Sequence, residues 1–315
     1  MTYERCILFA GNAGTSLATK IANYSSEIKL GEIYHHSFPS GEWYCQLQEN
    51  VRGADVFLIQ PVINPVNDNL MQLLIMADAA RRASAGRITA IIPYMGYSRQ
   101  DRKDKSRVPI SAKLVMDILE ASGINRIVTM DLHAAQIAGF TNLPFDHLNF
   151  RPSLLNALGN KNIDVVVAPD IGAVKRAEEY SRKMGVDIAI IIKKRTNDTT
   201  VEATQFVGDV KDKTVLIVDD LTESAGTIVS AATECKSHGA KTVYAAVTHG
   251  CITSIGAQRL LTAQKDGIIN EFFCSNTATG SWEGNDWGTV IDVSDLFAKA
   301  ILGIHNNVSI SSLFV

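Results

Sequence analysis

Residues 215 to 230 read Val-Leu-Ile-Val-Asp-Asp-Leu-Thr-Glu-Ser-Ala-Gly-Thr-Ile-Val-Ser, and the fold class follows from how this stretch divides. Val215 to Val218 is a short apolar run, the pattern of a strand buried on both faces. Asp219 and Asp220 stand where that strand is expected to end. Ser224-Ala225-Gly226-Thr227 makes a turn of small residues, and Ile228 to Lys236 resumes a helical pattern. Strand, acidic pair, small turn and helix in that order form a phosphate cradle. The turn's N–H groups and the positive end of the helix hold the phosphate, and the carboxylates beside it hold sugar hydroxyls or a metal. The same order is also that of an ordinary strand-to-helix turn with an acidic N-cap, and short motifs of this length carry that ambiguity.

Outward from this stretch, strands and helices alternate. Cys6 to Ala10 is a strand, followed by Gly11-Asn12-Ala13-Gly14 and a helix from Leu17 to Tyr24. The two glycines there fit a phosphate turn or a plain tight turn equally. Ile33 to Phe38 and the run after Glu42 flank a turn at Pro39-Ser40-Gly41-Glu42. Val56 to Gln60, Ile88 to Pro93 and Arg126 to Met130 are further strands, with helices over Asn67 to Arg82 and Pro109 to Gly123. After Phe150-Arg151-Pro152, a plausible domain junction, the pattern restarts. Strands are expected at Val165 to Ala168, Ile188 to Ile192, Thr242 to Thr248, Ile268 to Cys274 and Thr289 to Val293, with helices over Ala173 to Met184 and Leu296 to His305. Thr196 to Thr204 is polar and aperiodic, the signature of a mobile loop or flap. The class is therefore α/β with parallel sheets. Polar clusters recur just past strand ends, where open α/β sheets bind ligands.

Composition narrows the function classes. The chain has 315 residues, more than one ordinary domain. A formal net charge of -3 gives no electrostatic case for nucleic acid. The five cysteines lack CxxC spacing, so neither a disulfide framework nor a zinc cluster is expected. No apolar stretch is long enough to span a membrane, and no basic region followed by a long apolar run marks a signal peptide. A reduced cytoplasmic location is the default expectation.

Three strand-end clusters carry candidate chemistry. Tyr94 to Arg107 places five cationic side chains and two tyrosines after a strand. It reads either as a solvated charged loop or as a nucleotide loop, with Arg forking onto phosphate and Gln reading a base or sugar edge. Asp131-Leu132-His133 puts a histidine at a parallel strand's carboxyl end, as a ligand-facing or a structural residue. Asp170, in Pro169-Asp170-Ile171-Gly172, reads as a site carboxylate, a helix N-cap, or both.

Several of these stretches together resemble the ribose-phosphate pyrophosphokinase family: Asn67 to Met71, Ile92 to Lys103, Asp131 to Ala134, Pro169 to Gly172, Lys193 to Arg195, Val218 to Thr227 and the tail from His305 to Phe314. The match runs in order over nearly the whole chain. The acidic cradle alone is shared with phosphoribosyltransferases; the Arg-Gln-Asp and Asp-Leu-His motifs single out the pyrophosphokinase. The resemblance implies two similar phosphoribosyltransferase-like domains, each with a mainly parallel sheet flanked by helices. These are residues 1–149 on the ATP side, with the tail 304–315 packing back on it, and residues 150–303 on the ribose-phosphate side. It implies transfer of the diphosphate of ATP to the anomeric hydroxyl of ribose 5-phosphate, with Mg²⁺, in a homo-hexamer built from dimers. By resemblance Phe38, Ser40, Gly41, Glu42, Arg99, Gln100 and Asp101 bind ATP, with the loop around Ser40 reaching a neighbouring subunit's site. His133 and Asp170 are the metal-site residues. Asp219 binds ribose with Asp220 beside it, and Glu223, Ser224, Ala225, Gly226 and Thr227 bind the 5-phosphate. Lys193 is the catalytic lysine and Arg195 its companion on ribose phosphate. Asn50, Arg52, Arg107, Ser309 and Ser311 fall on the effector positions of the class activated by phosphate and inhibited by ADP.

The sequence departs from the family pattern at Ser40, usually acidic or amide, at Glu223 and Ser224, usually Asp and Thr, and at Ala173, commonly glycine. Two other readings share the cradle. A phosphoribosyltransferase needs neither Arg99-Gln100 nor His133. A non-catalytic regulatory homologue would have lost residues such as Lys193, Arg195, His133, Asp170 and Asp219, all of which are present.

Overall fold

In the computed structural model the apolar runs form two sheets, each inside its own compact unit: Met1–Asn149 with Asp292–Val315, and Phe150–Ile291. The structure describes residues 3–195, 201–278 and 287–313, with backbone alone at 193–195, 201–204 and 312.

The first unit contains β1 (Cys6–Ala10), α1 (Thr15–Ala22), β2 (Ile28–Leu30), β3 (Ile33–Ser37), β4 (Trp43–Leu47), β5 (Asp55–Ile59), α2 (Val66–Arg82), β6 (Arg87–Ile92), α3 (Ser111–Ala121), β7 (Arg126–Met130) and β8 (Phe145–Leu148). Six of its strands pair in parallel in the order β2-β1-β5-β6-β7-β8, and β3 and β4 form a separate antiparallel hairpin. β5 is buried at every position, as a strand covered on both faces must be. Leu70, Leu73, Ala77 and Ala80 bury the helical stripe of α2 expected from their spacing.

The second unit contains α4 (Arg151–Leu158), β9 (Val165–Ala168), α5 (Val174–Met184), β10 (Asp187–Arg195), β11 (Val201–Val207), β12 (Thr214–Thr222), α6 (Gly226–Ser237), β13 (Thr242–Gly250), α7 (Ser254–Lys265), β14 (Glu271–Ser275) and β15 (Thr289–Ile291). The strand order is β11-β10-β9-β12-β13-β14-β15. Only β11 is antiparallel to its neighbour. Leaving out β11, the two sheets match strand for strand in connectivity. That is the physical content of the rhythm shared by the two halves of the sequence.

Several elements differ from the sequence expectation. β2, β8, α4 and α7 lack a strong apolar period and were not expected. β10 runs on through the basic residues to Arg195 because β11 pairs with it, Lys193 opposite Thr204 and Arg195 opposite Val201. Residues 201–204, expected in a flap, are therefore strand; the rest of that segment, 196–200, lies outside the described residues. Trp282, and Phe314 in the tail, also lie outside them.

The last helix, α8 (Ser294–His305), belongs to the first unit, whereas residues up to 303 were expected in the second. Phe297, Ala298, Ala300 and Ile301 are buried, and α8 packs on α1. A buried polar latch fixes its end. Asp55 is fully buried and takes two hydrogen bonds from Arg87, Nε at 2.8 Å and Nη2 at 2.6 Å. The same Nη2 donates to the Ile304 carbonyl at 2.9 Å, and His305 Nδ1 lies 3.0 Å from Asp55. All five cysteines are free thiols. Burial pushes Cys6 and Cys235 up to about 12, which leaves them as packing residues. No helix among the described residues is long and apolar enough to cross a membrane.

Removing one partner of a buried charge pair strands the other. Arg87→Met is therefore expected to destabilise the first unit by about 3 kcal/mol in denaturant unfolding. Arg82→Met, which breaks an exposed pair with Asp78, is expected to leave the transition where it is.

Candidate active site

In the second unit the chain runs from β9 to β10 and β11 on one side, then returns to place β12 on the other side of β9. The gap between the carboxyl ends of β9 and β12 is the topological switch point, where an open α/β sheet has its crevice. Asp170 follows β9, and Asp219 and Asp220 lie near the end of β12. The acidic pair was expected at the strand end but lies inside the strand. β12 pairs with β9 only from Val215 to Ile217, while its pairing with β13 continues to Thr222. Asp219 and Asp220 thus remain in the sheet yet lie beyond the end of β9, where a carboxylate can leave the apolar layer.

Asp219 is half-buried and Asp220 buried. Asp219 accepts a hydrogen bond from the Asp220 backbone N–H at 2.9 Å. Burial holds the Asp219 carboxyl well above its ordinary range, and the charges of Asp220 and Asp170 raise it further. Asp170 also caps the turn it begins, accepting from the Ala173 N–H at 3.2 Å, which is the capping reading of the sequence. The phosphate turn follows directly. Ala225 is buried in the left-handed conformation, φ 57° and ψ 7°, at the N-cap of α6. Its methyl side chain cannot cap the helix, and α6 starts without a side-chain cap. Glu223 and Ser224 are exposed, and Gly226 and Thr227 half-buried, at the mouth of this turn. Lys193 and Arg195 lie at the carboxyl end of β10, beside β9. His249 at the end of β13 is buried against the Thr277 hydroxyl, 2.8 Å from Nδ1.

The corresponding switch point of the first unit, between β1 and β5, is filled. Gln60 Nε2 donates to Asn69 Oδ1 at 2.9 Å and to Gln72 Oε1 at 3.0 Å, and Gln72 Oε1 also accepts from the Asn12 N–H at 3.2 Å. All three amides are buried. A Cβ on Gly11 would sit 2.5 Å from Gln60 Oε1, and one on Gly14 would sit 2.4 Å from the Ile59 carbonyl. Gly11 to Gly14 is a tight turn, and amides occupy the place of the cradle.

The polar groups of the first unit lie instead at the ends of β6 and β7, which are paired neighbours. The loop after β6 is anchored rather than freely solvated: Tyr94, Met95 and Ser98 are buried, and the Tyr97 hydroxyl bonds Asn67. Arg99 and Gln100 emerge exposed, with the Gln100 side chain held by Ser111 at the start of α3. Asp101 accepts from Gln136 at 2.8 Å, in the turn that follows His133. His133 is exposed after Asp131, whose φ is 36°. The Leu132 N–H donates to His147 Nε2 at 2.8 Å, which sets the turn. His147 escaped the sequence reading because β8, which carries it, is short and only half-buried. The hairpin tip holds Phe38, 45% exposed, with Gly41 at φ 92°. Ser40 donates to Glu42 Oε2 at 2.9 Å, so the serine orients the acid beside it.

Among the described residues no group of three or more His, Cys, Asp and Glu is set to hold a metal. Mg²⁺ keeps waters and takes one or two carboxylates together with substrate phosphates. Asp170, Asp219 and Asp220 are oxygen donors of that kind, and burial with the charges of Asp220 and Asp170 holds the Asp219 carboxyl above its ordinary range.

The comparisons with known proteins decide the family. Residues 6–123 match the N-terminal domain of ribose phosphate pyrophosphokinase, and residues 153–286 match the phosphoribosyl transferase domain. The chain belongs to the ribose-phosphate pyrophosphokinase family. It is 45% identical to the ribose-phosphate pyrophosphokinase of Clostridium perfringens, over 98% of this chain and 97% of that one. It is 44% identical to ribose-phosphate pyrophosphokinase A of Dictyostelium discoideum, over 99% and 98%. The crystal structure of phosphoribosylpyrophosphate synthetase from Mycobacterium smegmatis superimposes with a TM-score of 0.89 at 37% identity, covering 96% of this chain and 99% of that one. Likeness over both domains separates a pyrophosphokinase from a lone phosphoribosyltransferase, as the Arg-Gln-Asp and Asp-Leu-His motifs implied.

A carboxyl raised above its unfolded value favours the fold while protonated, and that contribution is lost as pH rises through the raised value. At neutral pH an ionised Asp219 therefore opposes folding. Asp219→Asn, which keeps the oxygen that accepts from Asp220, is expected to raise the melting temperature at pH 7 by roughly 2–4 °C and to leave it unchanged at pH 4. A fall at pH 7 would contradict this electrostatic account.

Proposed function

We infer that this protein transfers the terminal diphosphate of ATP to the anomeric hydroxyl of ribose 5-phosphate, forming phosphoribosyl pyrophosphate and AMP. The observation that carries the inference is the uncapped, left-handed turn at Ala225 beside Asp170, Asp219 and Asp220 at the switch point of the second unit, in a chain that matches pyrophosphokinases from end to end.

In this reading the N–H groups of Glu223 to Thr227 and the start of α6 take the 5-phosphate. Asp219 and Asp220 accept from the ribose hydroxyls and fix the ring. The hairpin residues Phe38, Ser40, Gly41 and Glu42, and the loop residues Arg99, Gln100 and Asp101, receive ATP, with Glu42 pre-oriented by Ser40. Diphosphoryl transfer needs positioning and charge neutralisation rather than covalent help. Lys193 and Arg195 supply fixed positive charge for the diphosphate in the transition state. His133 and Asp170 are the residues that would hold Mg²⁺, which when bound would supply positive charge against the phosphates. Assembly as a homo-hexamer built from dimers, and phosphate and ADP as effectors at Arg52, Arg107, Ser309 and Ser311, belong to the same proposal. In its support, the Ser309 hydroxyl donates to Ser311 Oγ at 3.1 Å, which gathers two hydroxyls at one point of the tail.

The test is AMP release from ATP and Mg²⁺ with and without ribose 5-phosphate, beside Lys193→Ala. AMP is expected only with the sugar, falling by about 10²-fold or more in the variant. No AMP from folded protein in phosphate-containing buffer would favour a non-catalytic homologue, and AMP formed without the sugar would mean hydrolysis.

A further inference from the structure

The phosphate turn from Glu223 to Gly226 is held from behind by the first two turns of α7. The Glu223 carbonyl accepts from the Thr253 N–H at 3.0 Å and from the Thr253 hydroxyl at 3.2 Å. The next carbonyl, of Ser224, accepts from Arg259 Nη1 at 3.1 Å. Two glycines admit this contact. A Cβ on Gly256 would sit 2.2 Å from the Glu223 carbonyl oxygen, and one on Gly226 would sit 3.3 Å from Arg259 Nη1.

In a trans peptide the C=O and the following N–H point in opposite directions. Drawing the carbonyls of Glu223 and Ser224 towards α7 therefore turns the N–H groups of Ser224 and Ala225 away from it. They then face the same concavity as the first N–H groups of α6. The left-handed Ala225 next in the chain completes this anion nest. An unliganded turn of this kind has no reason to hold successive N–H groups on one side, since their dipoles repel; an outside tether supplies it. The guanidinium also places a fixed positive charge directly behind the site, where it attracts an anion without competing for its oxygens.

We propose that Arg259, with Thr253, is a positioning residue that presets the phosphate turn for the 5-phosphate of ribose 5-phosphate. The proposal rests on the functional reading above and assigns one role within it. Arg259 touches neither substrate in this scheme; it acts through the Ser224 carbonyl and through its charge.

Arg259 is exposed, so Arg259→Met keeps the aliphatic stem and is expected to fold with an unchanged melting temperature. Calorimetric binding of ribose 5-phosphate should weaken about tenfold, the scale of one charge-assisted hydrogen bond. KM for ribose 5-phosphate should rise in parallel, with KM for ATP within about twofold of wild type. Arg259→Lys, which keeps a donor and the charge, should bind within about threefold of wild type. Should Arg259→Met fail to fold, Arg259→Gln, a neutral donor on a shorter arm, takes its place with the same expected split between the two substrates. Unchanged ribose 5-phosphate binding in the neutral variant would overturn the tether alone. Equal losses for both substrates would reduce Arg259 to a general structural residue and also overturn it. A wild-type protein that binds no ribose 5-phosphate would overturn the functional reading together with the tether.

Discussion

A strand covered on both faces carries a carboxylate inside the sheet only where a cation pairs it, as Arg87 pairs Asp55 in β5; otherwise the strand must clear its neighbours first, because an ion in the apolar layer goes unsolvated. β12 meets this constraint by outrunning β9: their pairing stops at Ile217, and the acidic pair begins at Asp219. Everything else at the site follows from that offset. The cleared edge is the switch point, the chain can turn there into α6, and the turn's N–H groups come to lie beside the acids. The incomplete desolvation is visible in Asp219, whose carboxyl is held above its ordinary range by burial and by two neighbouring charges. Such a group costs stability in the free protein, and shifts of this kind cluster at functional positions.

The two units show how one connectivity supports two outcomes. Each sheet begins with a strand, an edge neighbour and a return to the other side, and each inserts its extra element at the same point: the hairpin β3–β4 in one, β11 in the other. At the switch point of the first unit, the Gln60 side chain donates to Asn69 and Gln72, and the three buried amides fill the crevice. At that of the second stand three acids and a helix start without a side-chain cap. Three neutral amides can close a buried hydrogen-bond network among themselves. Three ionised carboxylates cannot, and their mutual repulsion adds to burial in raising Asp219. The polar work of the first unit moves instead to the ends of β6 and β7, where His147 and Ser111 brace the turns that carry His133 and Gln100.

Much of this was legible in the sequence because the apolar runs are long enough to identify. Val215 to Val218, Val165 to Ala168 and Ile88 to Ile92 are strands in every reading, and the small residues of 224–227 admit little but a turn. What escaped notice lacked a local signal. β8 and β2 are short and partly exposed. The extension of β10 through Lys193 to Arg195 defies strand composition and exists because β11 lies alongside. Arg259 drew no reading at all, since α7 itself was not expected and nothing along the chain reveals that it meets Ser224.

The sequence by itself determined the α/β class, the order of the main elements and the residue types at the ends of the strands, because period and composition are local properties. Its ordered motifs also determined the family. The tertiary structure decided which of the two glycine or small-residue turns stays open, by placing Gln60 against Gly11 and Asp170 near Asp219. It also decided that α8 closes the first unit rather than the second, through the buried Asp55–Arg87 pair and the Ile304 carbonyl. These outcomes depend on residues far apart along the chain, as Arg87 and Ile304 are, or on which side of a strand the chain returns. No local period encodes such a choice.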